Sequence, residues 1–224
     1  STEDAGNYNT AIGYKALSTQ DAGDAYNTAV GFQAGEAVTT GVRNTLIGGL
    51  AGDAITTGGD NVSLGYNSLS SNTIGNSNVA IGKDAMLTNV AADRNVAIGL
   101  GSLQSMTSAT TVDTYNTAIG YAAGTAVTTG VQNTVLGARA LQANTVGADN
   151  VAIGYQALFT NVDGSRSVAI GTNALLTQEP SSATEMYNVA VGYNAGAAVT
   201  TGVNNTLIGA QTGDSLTTGA RNTA

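Results

Sequence analysis

The sequence contains no cysteine, no histidine and no tryptophan, and its 224 residues include one proline and two phenylalanines. Without cysteine there is neither a disulfide nor a thiolate site, and the redox compartment cannot be read from the chain. Without histidine, a Ser-His-Asp triad, an imidazole base and a histidine-bound metal are all excluded. No catalytic, cofactor-binding or metal-binding residue is assigned, and the chain is expected not to be an enzyme. Basic residues are also scarce, 7 against 15 acidic ones, for a net charge of −8. No basic stripe exists to hold phosphates, so nucleic acid is not an expected partner, nor is an anionic membrane surface. No apolar run approaches the roughly 18 residues of a membrane helix, so membrane insertion is not expected. Large aromatic side chains for a thick core are missing, yet 42% of residues are apolar, too many for a disordered chain.

What fills the sequence instead is a repeat. Asn-Val-Ala-Ile-Gly-x-x-Ala-Leu, or a close variant, starts at Asn9, Asn27, Asn44, Asn61, Asn78, Asn95, Asn116, Asn133, Asn150, Ser167, Asn188 and Asn205. A cut-off copy begins at Asn222. Most steps are 17 residues; Asn9→Asn27 is 18, and Asn95→Asn116 and Ser167→Asn188 are 21. A fixed period marks stacked units that touch only their neighbours. The expected architecture is all-β: one parallel β-solenoid array over residues 1–224, of about twelve 17-residue rungs, with partial repeats at 1–8 and 222–224. Stacked at about 4.8 Å, twelve rungs make a rod of ~60 Å. The partial repeats, and the absence of atypical caps, suggest a segment of a longer fibre protein.

Numbering each repeat from its Asn as zero, position 1 is Thr or Val and position 3 is a large aliphatic in every complete copy, from Ile12 to Ile208. Two residues apart, they share one face of a strand. The expectation is that this face, with its row from Ile12 through Ile208, lies in the core, and that the smaller position 2 faces the other way. Position 4 is always Gly, marking a bend or a close backbone approach. Thr-Gly near position 14 is turn chemistry. Each rung therefore reads strand, glycine bend, second strand, turn. The asparagine row itself reads as a structural ladder.

Positions 8 and 11 obey an either/or rule. Where position 8 is Leu or Met, position 11 is polar (Leu69/Asn72, Met86/Asn89, Leu158/Asn161, Leu175/Gln178); where position 8 is Gly, position 11 is aliphatic (Gly35/Val38, Gly52/Ile55, Gly196/Val199). Close packing penalises both an empty and an overfilled slot, so one large apolar group per rung is expected from one position or the other. Leu103/Met106 supplies both, in a lengthened rung. Such a rung holds little core of its own. Stacking must support it, and closed cyclic association of identical chains is the ordinary further source.

Ser167-Val-Ala-Ile-Gly-Thr-Asn-Ala174 and Asn150-Val-Ala-Ile-Gly-Tyr-Gln-Ala157 resemble the head repeats of trimeric autotransporter adhesins (YadA-like heads). Asn9-Thr-Ala-Ile-Gly-Tyr-Lys-Ala-Leu17, with the Thr-Thr-Gly turns, is similar to related repeats of bacteriophage tail fibres. The resemblance spans essentially the whole chain. It implies a left-handed β-roll wound as a parallel homotrimer, in an extracellular structural or adhesive fibre. The expected function is a rigid shaft of a tail fibre or similar virion appendage, involved in host attachment. Its expected partners are itself, other fibre or virion proteins, and a host surface glycan or protein. The alternatives are a bacterial surface adhesin head and an ice- or surface-binding solenoid; the latter needs an unbroken Thr row, and position 12 is interrupted by Val90.

Single carboxylates occupy the turns. Stacking places Glu36 beside Asp53, where a polysaccharide-cleaving pair would need two acids a few ångströms apart; a solvated acidic edge is the plainer reading. Arg43 is expected to pair with Asp60. The tyrosines of position 5 read as an edge-packing row, with a sugar-binding stripe as the alternative. The two 21-residue rungs carry insertions before a Tyr-Asn restart. Their extra residues are expected to loop outward, which makes Met106, Thr107, Asp113, Tyr115, Glu179, Pro180, Glu185 and Tyr187 the candidate partner-contact residues.

Overall fold

The computed structural model describes residues 8–21 and 23–224. It is all-β, a parallel solenoid of about twelve turns with rungs about 17 residues apart. Of the partial repeat at 1–8, all but Tyr8 lies outside the described residues. Chain contacts divide the solenoid into two compact units, Ser1–Thr114 and Tyr115–Ala224. The first holds β1 (Thr10–Ile12), β2 (Thr28–Val30), β3 (Thr45–Ile47), β4 (Val62–Leu64), β5 (Val79–Ile81) and β7 (Val96–Ile98). The second holds β9 (Thr117–Ile119), β10 (Thr134–Leu136), β11 (Val151–Ile153), β13 (Val168–Ile170), β15 (Val189–Val191) and β16 (Thr206–Ile208). Within each unit these strands pair in parallel, position 1 opposite position 1, as in Val151↔Val168, Ala152↔Ala169 and Ile153↔Ile170.

The second strand expected in every rung is absent. After the glycine bend, positions 6 and 8 take left-handed backbone angles, for example Gln156 at φ 56° and Leu158 at φ 52°. An extended strand cannot pass through that region. Rung-to-rung hydrogen bonding continues nonetheless. Gln156 N–H donates to Ala138 O (3.2 Å), Leu158 N–H to Ala174 O (3.0 Å) and Arg166 N–H to Ala148 O (2.9 Å). The coil is thus bonded around its turn with little regular strand.

The inside and outside of the strand are also reversed from the sequence expectation. Position 2 faces the core: Ala29, Leu46, Ala80, Ala152 and Ala169 are fully buried. Positions 1 and 3 face outward, and Ile12 and Ile208 are 60% and 61% exposed. The reason is the width of the coil. Its interior is already filled by position 7, by position 8 or 11, and by the asparagine row, which leaves room opposite the strand for little more than a methyl group. Where position 2 is Leu46, position 8 of that rung is Gly52, and a Cβ there would lie 2.8 Å from Leu46 Cδ2.

The expected slot sharing is present. Leu69, Leu141, Leu158 and Leu175 are fully buried, as are Val38, Ile55, Val127 and Val199. A Cβ on Gly52 would meet Ile55 Cδ1 at 2.7 Å, so the position-11 side chain occupies the space that leucine takes elsewhere. The polar residue of a leucine rung does not leave the interior. Asn72 is fully buried; its Oδ1 accepts from Gly75 N–H (3.1 Å) and its Nδ2 donates to Gly75 O (3.0 Å). Leu69→Gly is therefore expected to cost about 2–4 kcal/mol, the cavity outweighing the roughly 1 kcal/mol of left-handed strain it relieves. Adding Asn72→Val should restore much of the loss in a thermal melt. Losses that simply add would show that the two positions do not share a slot.

The asparagine row runs through each unit as a buried ladder. Asn150 N–H donates to Asn133 Oδ1 (3.0 Å), Asn150 Oδ1 accepts from Ser167 N–H (3.0 Å), and Asn150 Nδ2 donates to Gly164 O (2.9 Å). Asn150 thus bonds the preceding rung through its backbone N–H, the next rung through Oδ1 and its own turn through Nδ2. Ser167 is too short for this. Gln178 reaches across instead, donating to Asn161 Oδ1 (3.2 Å) and accepting from Asn188 Nδ2 (2.9 Å), in contact with Ser167 Oγ.

Candidate interaction surface

Strand geometry places positions 1 and 3 on one outer face, position 5 follows just past the glycine bend, and these outward positions are largely apolar. In the first unit they carry Ile12, Tyr14, Phe32, Leu64, Tyr66 and Leu100, all exposed. In the second they carry Tyr121, Leu136, Tyr155, Tyr193 and Ile208, likewise exposed, with the half-buried Val151, Ile153, Val168 and Ile170 between them. Single exposed hydrophobic residues are ordinary, but an uninterrupted row from rung to rung marks an interaction surface.

The two insertions turn back toward the coil. Val112–Asp113 (β8) pairs in parallel with Ala92–Asp93 (β6), and Thr184–Glu185 (β14) pairs with Gly164–Ser165 (β12). Met106, Met186 and Pro180 are buried. Met106 and Pro180 therefore cannot be surface contacts as expected: the wider rung gains interior that apolar side chains must fill. Glu179 is half-buried, its Oε2 accepting from Val162 N–H (2.8 Å). Thr107, Asp113, Tyr115, Glu185 and Tyr187 are exposed.

The insertions share one device. Arg94 pairs with Asp113, and Arg166 pairs with Glu185, in each case an arginine just before one repeat and an acid three residues before the next. Arg166 Nη1 also donates to Tyr187 Oη (2.7 Å), which donates to Glu185 Oε2 (2.6 Å). The hydrogen bond to Tyr187, then the charge of Glu185, holds the Arg166 guanidinium above its ordinary pKa. These pairs fix the insertion to the preceding rung. Their exposure keeps their contribution to stability small.

Glu36 and Asp53, on neighbouring rungs, sit in unlike surroundings. Glu36 accepts from Lys15 Nζ (2.6 Å), and that hydrogen bond lowers its pKa. Asp53, on the next rung, is pushed up chiefly by burial, with the Glu36 charge adding to it. Arg43 meets both oxygens of Asp60, at 2.6 and 2.8 Å, as expected. Among the described residues no group of three or more His, Cys, Asp or Glu could hold a metal ion, and no helix is long and apolar enough to cross a membrane. Most position-12 threonines, Thr39, Thr56, Thr73, Thr128, Thr145 and Thr200, are half-buried, while Thr107 and Thr217 are exposed. Thr39 Oγ1 donates to Thr56 O, Thr56 Oγ1 to Thr73 O, and Thr128 Oγ1 to Thr145 O. No protein-family model, curated protein or solved structure matches this chain.

Proposed function

We propose that the chain is a shaft segment of an extracellular fibre of the bacteriophage tail-fibre kind, built as a parallel homotrimer and serving as a rigid spacer in host attachment. The observation that carries this reading is the outward row of β-branched and large aliphatic side chains on the strands. On a lone coil it stands in water. Against the same row of identical chains it becomes a second core, with a residue at each rung meeting its equivalent. The hydrogen-bond ladders that repeat from rung to rung fit a load-bearing element. The hydroxyls of Thr39, Thr56 and Thr128 donate to carbonyls of the next rung, which speaks against an ice-binding face. On this reading the remaining partners are other fibre or virion proteins, and host contact belongs to parts other than the exposed insertion residues.

The test has two readouts. Light scattering of the parent chain should give the mass of three chains, and Ile153→Glu with Ile170→Glu should give a lower mass, because burying unpaired carboxylates in such a row is prohibitive. Alanine at Thr107, Asp113, Tyr115, Glu185 and Tyr187 should leave attachment of the whole fibre to its target unchanged. A folded monomer at micromolar concentration would remove the trimeric shaft. Loss of attachment in the alanine variant would make the insertions the contact and the spacer role wrong.

A further inference from the structure

The position-5 row of the second unit has a spacing that chain association does not require. It reads Tyr121, Ala138, Tyr155, Thr172, Tyr193, Ala210: an aromatic ring on every second rung, with a small residue between. The backbone holds these positions in register. Arg139 N–H donates to Tyr121 O (2.8 Å), Gln156 to Ala138 O (3.2 Å), Asn173 to Tyr155 O (2.9 Å), Asn194 to Thr172 O (3.0 Å) and Gln211 to Tyr193 O (2.7 Å).

A neighbouring pair in the first unit shows what the alternation avoids. Tyr14 and Phe32 stand on consecutive rungs and stack on each other, with centroids 5.5 Å apart and planes 13° apart. Rings on every rung would satisfy one another. Tyr121, Tyr155 and Tyr193 have no such neighbour; they are 52%, 47% and 56% exposed. Their hydroxyls also meet no hydrogen-bond partner among the described residues, whereas that of Tyr187 lies between Arg166 and Glu185. Two of the rings are followed by an amide side chain, Tyr155 by Gln156 and Tyr193 by Asn194; Asn194 Oδ1 accepts from Asn173 Nδ2 (3.0 Å), which leaves its Nδ2 as the donor.

Open aromatic rings bordered by amides are the chemistry that recognises a pyranose: apolar C–H groups stack on the ring, and hydroxyls bond the polar rim. The spacing selects among sugars. Rings two rungs apart lie roughly 10 Å from one another, which matches the disaccharide repeat of an extended β-1,4-linked chain. We propose that the Tyr121–Tyr155–Tyr193 row binds an extended β-1,4-linked polysaccharide laid along the second unit, with alternate sugar units on successive tyrosines. This goes beyond the spacer reading and does not depend on it, because it uses position 5 of one unit rather than the strand rows.

The full chain would be titrated calorimetrically with cellohexaose and chitohexaose, which separate a glucan from an N-acetylglucosamine polymer, and with the matching disaccharides. A hexasaccharide should bind at least about tenfold more tightly than its disaccharide, because it reaches more than one ring. Tyr155→Ala should weaken hexasaccharide binding by about tenfold or more, and Tyr155→Phe by much less. Tyr155→Ala with Thr172→Tyr keeps the number of rings but breaks their spacing, and it should not restore binding. Light scattering and a thermal melt of each variant should match the parent. The proposal is overturned if neither hexasaccharide binds, if Tyr155→Ala binds as the parent does, or if the spacing variant recovers full affinity. It is equally overturned if Tyr155→Ala lowers the assembled mass, since the row would then belong to chain association.

Discussion

Gly154→Ala is expected to destabilise the second unit by on the order of 3–5 kcal/mol, adding left-handed strain to steric overlap. Gly154 has φ +126°, and a Cβ built on it lies 2.6 Å from both the carbonyl carbon and oxygen of Gly171. That carbonyl cannot retreat, because Gly171 occupies the same place in the next rung, and a Cβ there would itself stand 2.4 Å from Gly192 O. The glycine column is a line of backbone-to-backbone contacts with no flexible side chain to give way. For a chain of this size such a loss corresponds to a melting temperature about 10 °C lower or more. Gly49→Ala is the control. Its φ lies outside the left-handed range, and its Cβ would meet Tyr66 Cδ2 at an ordinary 3.4 Å, so a change within about 0.5 kcal/mol is expected. Equal effects at both positions would show that the column is not the constraint.

Asn150→Ala should rank close behind. It strands the Ser167 N–H, bonded by Asn150 Oδ1 inside the coil, and leaves the Gly164 carbonyl with the Asn161 Nδ2 donor alone (2.8 Å). At about 1–3 kcal/mol for a buried group left unpaired and about 1 kcal/mol for the second bond lost by the Gly164 carbonyl, the expected cost is roughly 2–4 kcal/mol. Ser167 and Gln178 point to a partial remedy, since that rung keeps its bonds with serine at position zero and glutamine at position 11. Asn150→Ser alone should fall nearly as far as alanine, and Asn150→Ser with Asn161→Gln should recover part of the loss. Denaturant melts of the three variants decide the matter. No recovery in the double variant would mean that Gln178 is incidental to its rung.

The period, the strand and the glycine column could be read directly from the sequence because each rests on a repeated local constraint. The side that faces inward could not. Alternation along Val151-Ala152-Ile153 separates two faces, and the habit of burying the larger side chains assigns Val151 and Ile153 to the core. That habit fails in a coil whose interior is filled by Leu158 and Asn161 from the opposite wall. The pairing of Leu46 with Gly52 was the available clue: a large residue at position 2 coincides with an emptied position 8. The missing second strand had no signal, because Gln156 and Lys15 are not residues whose identity announces a left-handed backbone. The burial of Asn72 and Asn161 has no sequence signal of its own either. A polar residue at position 11 says only that the large apolar group comes from position 8, and it is the geometry that shows the amides of Asn72 and Asn161 closing the turn from within. Of the candidate contacts, the exposed Asp113, Tyr115, Glu185 and Tyr187 follow from their place at the end of an insertion. Met106 and Pro180 do not, because a wider turn needs filling.

The identical register of successive rungs has a consequence for how such a chain changes over generations. Within either unit, consecutive 17-residue rungs that begin with asparagine present the same ladder bonds upward as they receive from below. Excising 17 residues between equivalent positions, say Asn133 to Asn150, joins one ladder to the next with each asparagine, glycine and left-handed residue again opposite its counterpart. Length is therefore a heritable quantity that recombination between like copies alters in whole steps without creating a misfolded product. Partial steps are absorbed at one place, the stretch just before the asparagine restart, which is where both 21-residue rungs carry their extra residues. A lineage can thus adjust reach by counting rungs and vary surface chemistry in the inserted segments, and the two kinds of change proceed independently.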